Sequence, residues 1–156
     1  MKIVRSTEAL WIETIEHGRF SQREKTLSAS NILGCALYEL PAGKTSFPMH
    51  LHHVAEEAMF VLSGRAKMRT PDGQTAIGPG DWVTFPVGGP AHQLINDGAD
   101  PLSYLAFSVD AAADHPDVVD YPDSGKIGAG IGVDPDRKRF RHLKKDAVDY
   151  FLGEED

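Results

Sequence analysis

The sequence predicts an all-β fold, an antiparallel sandwich or barrel, and three observations carry that prediction. Apolar, β-favouring runs recur at roughly ten-residue spacing between residues 31 and 109. Turn chemistry separates them: Pro41-Ala42-Gly43, Pro71-Asp72-Gly73, Gly78-Pro79-Gly80-Asp81 and Pro86-Val87-Gly88-Gly89-Pro90. Fifteen glycines and ten prolines among 156 residues leave little room for long helices.

The elements follow in order. Residues 1–30 are polar and mixed and read as an N-terminal arm. Within it, 7–16 (TEALWIETIE) fits a short helix or an edge strand equally well, and 17–30 has no clear period. Strands are expected at 32–40 (ILGCALYEL), 46–52, 57–63 (EAMFVLS), 65–70, 74–77, 82–85 (WVTF), 91–96 (AHQLIN) and 102–109 (LSYLAFSV). Residues 31–110 therefore form the sandwich or barrel, and 111–156 a C-terminal extension. In that extension, 114–136 is rich in Asp, Pro and Gly and reads as a loop or arm. The stretch 143–152 (LKKDAVDYFL) spaces Leu143, Ala147, Tyr150 and Phe151 as one face of a short helix, which Gly153 would stop.

Composition narrows the function. At 41% apolar and 25% charged the chain is an ordinary globular one, long enough for one domain with its own core. Lys plus Arg number 16 against 23 Asp plus Glu, a net charge of -7, which argues against general nucleic-acid binding. Cys35 is the only cysteine, so no intrachain disulfide forms and a reducing, cytoplasmic location is expected. Lys2 and Arg5 are followed by no apolar signal region, and no apolar run is long enough to span a membrane.

The chemistry concentrates in 43–64, GKTSFPMHLHHVAEEAMFVLSG. His50 and His52 are two apart, so on a strand both imidazoles aim at one point. Glu57 lies an odd five residues further on, and a turn across His53–Glu56 is needed to bring it back. Glu56 takes its place if that turn is one residue tighter. His92, on the strand 91–96, is the fourth candidate. Three imidazoles and one carboxylate suit a single divalent transition metal: iron, manganese, nickel, zinc, cobalt or copper. His53 should point away from the pair.

Two motifs here resemble those of the cupin superfamily. The first is His50-Leu51-His52, four residues, Glu57, six residues, Gly64, with Gly43 one residue too far upstream. The second is Gly80, five residues, Pro86-Val87-Gly88, three residues where the family has two, His92, three residues, Asn96. The resemblance spans about residues 31–109. It implies a double-stranded β-helix (jelly-roll) barrel with His50, His52, Glu57 and His92 as metal ligands, and Asn96 in a structural role. Arg23-Glu24-Lys25-Thr26-Leu27 and Tyr121-Pro122-Asp123-Ser124-Gly125-Lys126 look like a set of small single-domain bacterial cupins without an assigned activity.

Strand parity lines the cavity with Met59, Val61 and Ser63 beside Glu57, and with Leu94 and Asn96 beside His92. Tyr38, Phe60 and Trp82 read as core ahead of lining a mouth, Cys35 as a small buried hydrophobe, and Lys67 and Arg69 as solvated ahead of binding a substrate carboxylate. Gly128, Gly130 and Gly132 alternate without a dinucleotide-binding context, and 137–145 (RKRFRHLKK) reads as a solvated helix entry. No second carboxylate or lysine is placed inward by parity, and the facing of Glu39 and Tyr104 is open. The expected activity is that of a metal-dependent enzyme, of dioxygenase, isomerase or lyase type, on a small oxygen-bearing molecule. The alternative is a non-catalytic small-ligand-binding or sensor protein. A homodimer is expected, the 1–30 arm covering a neighbour's sheet edge.

Overall fold

The computed structural model describes residues 2–29, 32–110, 116–131 and 138–154. The described residues form thirteen strands: β1 (Ile12–His17), β2 (Phe20–Ala29), β3 (Leu33–Leu40), β4 (Leu51–His52), β5 (Ala55–Ser63), β6 (Ala66–Thr70), β7 (Gly73–Ile77), β8 (Trp82–Phe85), β9 (Gln93–Ile95), β10 (Leu102–Asp110), β11 (Asp117–Tyr121), β12 (Lys126–Ile131) and β13 (Lys138–Leu143). Six strands form one sheet in the order β1-β2-β3-β10-β5-β8, four a second in the order β13-β12-β11-β4, and three a third in the order β7-β6-β9. All named pairings are antiparallel. Turn spacing predicts an antiparallel sandwich or barrel, and the structure is the jelly-roll barrel that the cupin resemblance implies.

The core lies between the sheets and follows strand parity. Leu40 on β3 pairs in register with Leu102 on β10, and both are fully buried. Each such leucine contributes roughly 1.5–3 kcal/mol by leaving water. Met59 and Val61 of β5, Met68 of β6 and Leu94 of β9 complete the inner layer. Asn96 caps it: its amide donates to the carbonyls of Leu40 and Asp100 (3.0 and 2.9 Å) and its oxygen accepts from Gly98. Gly64 closes the β5–β6 turn with φ +82, where a Cβ would stand 2.5 Å from the Pro101 carbonyl oxygen.

Several expectations are corrected. Of the two readings open for 7–16 the edge strand is the one found, as β1, and β1 and β2 extend this chain's six-stranded sheet. In 114–136, β11 and β12 pair across a tight turn at Pro122–Ser124, with Gly125 in the left-handed region. Positions 114, 115 and 132–136, Gly132 among them, and Arg137 lie outside the described residues. No helix forms over 143–152. Residues 138–143 are strand β13, followed by a single 3-10 turn at Lys144–Asp146. Tyr150 and Phe151 are exposed, so the expected apolar face has nothing to bury against. A helix that short is marginal without packing, whereas β13 gains a full ladder with β12.

Phe60 and Trp82 are not core. Both point to the outer face of the six-stranded sheet, opposite in parity to Met59, where Trp82 is 54% exposed and packs on Phe60 and Phe107. Ser63 is exposed, because the β5–β10 register shifts between Ser103 and Tyr104 and takes the end of β5 off the inner face. Cys35 is half-buried, and burial pushes its thiol pKa up.

Candidate functional site

His50 and His92 face each other across an isolated antiparallel bridge. His50 N–H donates to the His92 carbonyl (3.2 Å) and His92 N–H to the His50 carbonyl (2.8 Å). The two rings therefore stand side by side, centroids 4.7 Å apart. His52 follows two residues after His50 on the same face, as the period of a strand requires. At His53–Val54 the chain bends out of the four-stranded sheet and enters β5 in the six-stranded one. Glu57 thus reaches the histidines from the opposite sheet instead of returning beside His52. Its Oε2 lies 3.4 Å from His52 Nε2, 3.5 Å from His92 Nε2 and 3.9 Å from His50 Nε2. Glu56 and His53 are exposed. The extra residue of the second motif is absorbed in a turn, where Gly89 N–H bonds the Pro86 carbonyl and Gly88 takes φ +63.

The surroundings leave each imidazole able to offer a nitrogen lone pair to the cluster. His50 Nδ1 donates to the Pro48 carbonyl (2.8 Å), which leaves the Nε2 lone pair directed at the cluster. His52 Nδ1 does the same to Asp117 Oδ2. The ring of His92 stacks on Phe85, centroids 3.7 Å apart. Burial, and next the neighbouring His92, push the His50 pKa down to about 4, so the neutral ligand form prevails. Burial raises the Glu57 carboxyl, but the hydrogen bond from His92 and the charge of the three imidazoles outweigh it and hold it below the ordinary value. The donor atoms of His50, His52 and Glu57 all lie within 4.8 Å of one another, a His-His-Glu group that can hold a metal ion. The nitrogen-oxygen donor set fits a first-row divalent metal.

The cluster opens into a cavity of about 800 Å³. Two residues on its wall escaped sequence reasoning. Asp117 is almost fully buried and gathers three donors: His52 Nδ1, Ala55 N–H at 3.3 Å and the backbone of Val54. It begins a strand inside a stretch that read as loop. Glu24, on β2, lines the cavity and accepts a hydrogen bond from Tyr38, whose hydroxyl is pushed up, first by burial and then by that bond. Alternation of Glu24, Thr26 and Ser28 along 17–30 is the signal that could have found it; all three face the cavity. Glu39 points outward to Arg23 (2.6 Å), and Tyr104 points inward to Gln22 Oε1 (3.2 Å). Lys67 pairs with Asp97 (2.6 Å). Arg69 is engaged rather than solvated: it grips Asp123 with both Nη groups (2.6 and 3.0 Å) and bonds Gln93, tying the Pro122–Ser124 turn to β6.

Comparison with known proteins agrees with this geometry. The cupin-domain family matches residues 36–108. A structure from Acidithiobacillus ferrooxidans, to which a sugar phosphate isomerase activity is provisionally ascribed, is 32% identical, with 83% of this chain and 80% of that one covered and a TM-score of 0.70. A sugar phosphate isomerase of the cupin superfamily from Silicibacter pomeroyi shares the fold at 20% identity, covering 92% and 94% of the two chains with a TM-score of 0.75. A predicted oxalate decarboxylase from Thermotoga maritima does so at 23% identity, covering 70% and 98%, with a TM-score of 0.62. No curated protein matches. With two convergent motifs, a jelly-roll barrel and a His-His-Glu cluster inside it, this chain belongs to the cupin superfamily.

Proposed function

We propose that this cupin is a metal-dependent enzyme of the isomerase type, which moves a proton within a small hydroxycarbonyl compound. The observation that carries this reading is Glu24, a carboxylate that bonds none of the histidines and lines the cavity the cluster opens into. Isomerisation needs a general base as well as stabilisation of the oxygen that becomes negative. His50, His52, Glu57 and His92 would hold one divalent transition metal, which when bound supplies Lewis-acid polarisation of a substrate oxygen. Glu24 takes the proton from carbon, and Tyr38, hydrogen-bonded to that carboxylate and stacked on Tyr104 at 5.3 Å, keeps it in place. Met59, Met68 and Leu94 line the apolar side of the cavity. The provisional assignment of the 32% identical relative favours isomerase chemistry over the dioxygenase and lyase alternatives.

The test combines metal content with isotope exchange. Untagged protein, purified without chelator, is expected to carry about one equivalent of a transition metal that a His50→Ala/His92→Ala variant lacks. Metal-loaded protein in D2O should exchange a carbon-bound proton of a small aldose or ketose phosphate, followed by proton NMR. Glu24→Gln should keep the metal and lose exchange by roughly 10²–10⁴-fold, the usual contribution of a general base. Full metal with no exchange across the panel refutes the isomerase reading, and oxygen uptake would point to dioxygenase chemistry instead. Failure to bind any metal refutes the enzyme reading altogether.

A further inference from the structure

We propose that the β12–β13 wall of the cavity is a docking site for a phosphate group, built from Lys126, Arg139 and Arg141 over a floor of glycine. The proposal deepens the isomerase reading and rests on it only for what happens at the other end of the substrate. Three rows of paired residues cross the four-stranded sheet. They run Asp117–Gly130–Arg139, Val119–Gly128–Arg141 and Tyr121–Lys126–Leu143, and His52 pairs with Val119 at the end of the middle row. Residues paired in register share a face. Asp117, Val119 and Tyr121 face the cavity, so Arg139, Arg141 and Lys126 face it too, and all three line it.

The alternating glycines give this wall its shape. Gly128 and Gly130 present no side chain between β11 and β13, while Ala129 alternates with them. A Cβ at Gly128 would stand 2.8 Å from the Phe140 carbonyl oxygen and 3.0 Å from Arg141 Cγ, so the arginine stem lies over the place where a side chain would be. Arg141 Nε donates to the Tyr121 hydroxyl (3.1 Å), and Lys126 Nζ lies 5.4 Å from the centre of the Tyr121 ring. That ring is 6.2 Å from the ring of His50, so the cations stand one aromatic side chain away from the histidine cluster.

Charge points to an anion. The chain carries a net -7, yet this wall brings three cations together. Among the described residues neither Lys126 nor Arg141 forms an ion pair. The carboxylates of the cavity are engaged elsewhere: Glu57 with the histidines, Asp117 with His52 and Glu24 with Tyr38. The Arg141 guanidinium fork and the Lys126 ammonium, with Arg139 beside them on the same wall, match the several oxygens and double charge of a phosphate monoester better than a single carboxylate. The ligand class is therefore a small phosphorylated hydroxycarbonyl compound, its phosphate on β12–β13 and its oxygens toward the histidines.

The test is a titration of inorganic phosphate, with sodium acetate at matched ionic strength as the control, into four proteins followed by calorimetry. These are the wild type, Arg139→Gln/Arg141→Gln, Gly128→Ala and His50→Ala/His92→Ala. Both arginines are exposed, so the double variant should fold, which its melting curve verifies. The expected result is phosphate binding by the wild type and by the histidine variant, weakened about tenfold or more in the arginine variant, which loses at least one charge-assisted contact. Gly128→Ala should weaken it in the same direction. Metal content is unchanged in the arginine variant, so a failed metal site and a failed phosphate site are told apart. Phosphate binding that survives the arginine change but is lost with His50 and His92 places the anion on the metal and overturns the proposal. No binding by the wild type, or equal binding of acetate, overturns it as well.

Discussion

Replacing Asp117 by Asn tests how the cluster is held together. The carboxylate is 5% exposed and accepts from His52 Nδ1, from Ala55 N–H and from the backbone of Val54. Only a group that accepts on both oxygens satisfies all three. An amide accepts on one side only, and Ala55 N–H, on the oxygen opposite His52, holds that side. Its NH2 then meets His52 Nδ1, where donor faces donor. The imidazole escapes by moving its proton to Nε2, the nitrogen that points at Glu57 and should bind the metal. Loss of such an outer partner typically costs 10–100-fold in metal affinity, about 1.4–2.7 kcal/mol. The assay is competition for zinc or cobalt against a chromophoric chelator, with nitrogen-15 NMR of the imidazoles to read the tautomer of His52. An affinity within about twofold of wild type, or an unchanged tautomer, would refute the reasoning.

Two further outcomes are expected. Burial raises the Asp117 carboxyl, but the hydrogen bond and charge of His52 and the backbone donors outweigh it and hold its pKa below the ordinary 3.8. A carboxyl depressed on folding adds stability above its unfolded pKa and loses it as pH falls through the folded value. The melting temperature of metal-free wild type should therefore fall more steeply below about pH 4 than that of Asp117→Asn; parallel curves from differential scanning calorimetry would contradict this. The expected homodimer is tested by light scattering. With the sheet edge covered by the chain's own β1 and β2, the contact should use the outer sheet face, where Leu33, Leu62 and Trp82 are exposed, and Trp82→Glu should shift the wild-type dimer to monomer. A wild-type mass of 17.0 kDa would exclude it.

Local patterning carried much of this protein. Turn chemistry and strand rhythm in residues 31–109 determined an antiparallel all-β fold, and strand parity placed Met59, Val61, Leu94 and Asn96 inside. His50 and His52 are legible as a pair because a strand's two-residue period is a local property. The C-terminal extension misled for the same reason. Leu143, Ala147, Tyr150 and Phe151 have helical spacing, but spacing stabilises a helix only when a face exists to bury it, and none is present among the described residues. Asp117 is not legible because it owes its position to His52, 65 residues away, whereas Glu24 alternates locally with Thr26 and Ser28 but is turned to the cavity only once β2 pairs with β3.

The sequence by itself determined the fold class, the strand rhythm and the identities of His50, His52, Glu57 and His92 as candidates, since all of these follow from residue type and spacing. Tertiary structure alone decided that Glu57 comes from the opposite sheet, and that Asp117 orients His52. It also decided that Arg139 and Arg141 lie across two glycines on the same cavity. Those relations depend on which strands pair and in what register. Pairing is a competition among all strands for hydrogen-bond partners and burial, and no single segment encodes its outcome.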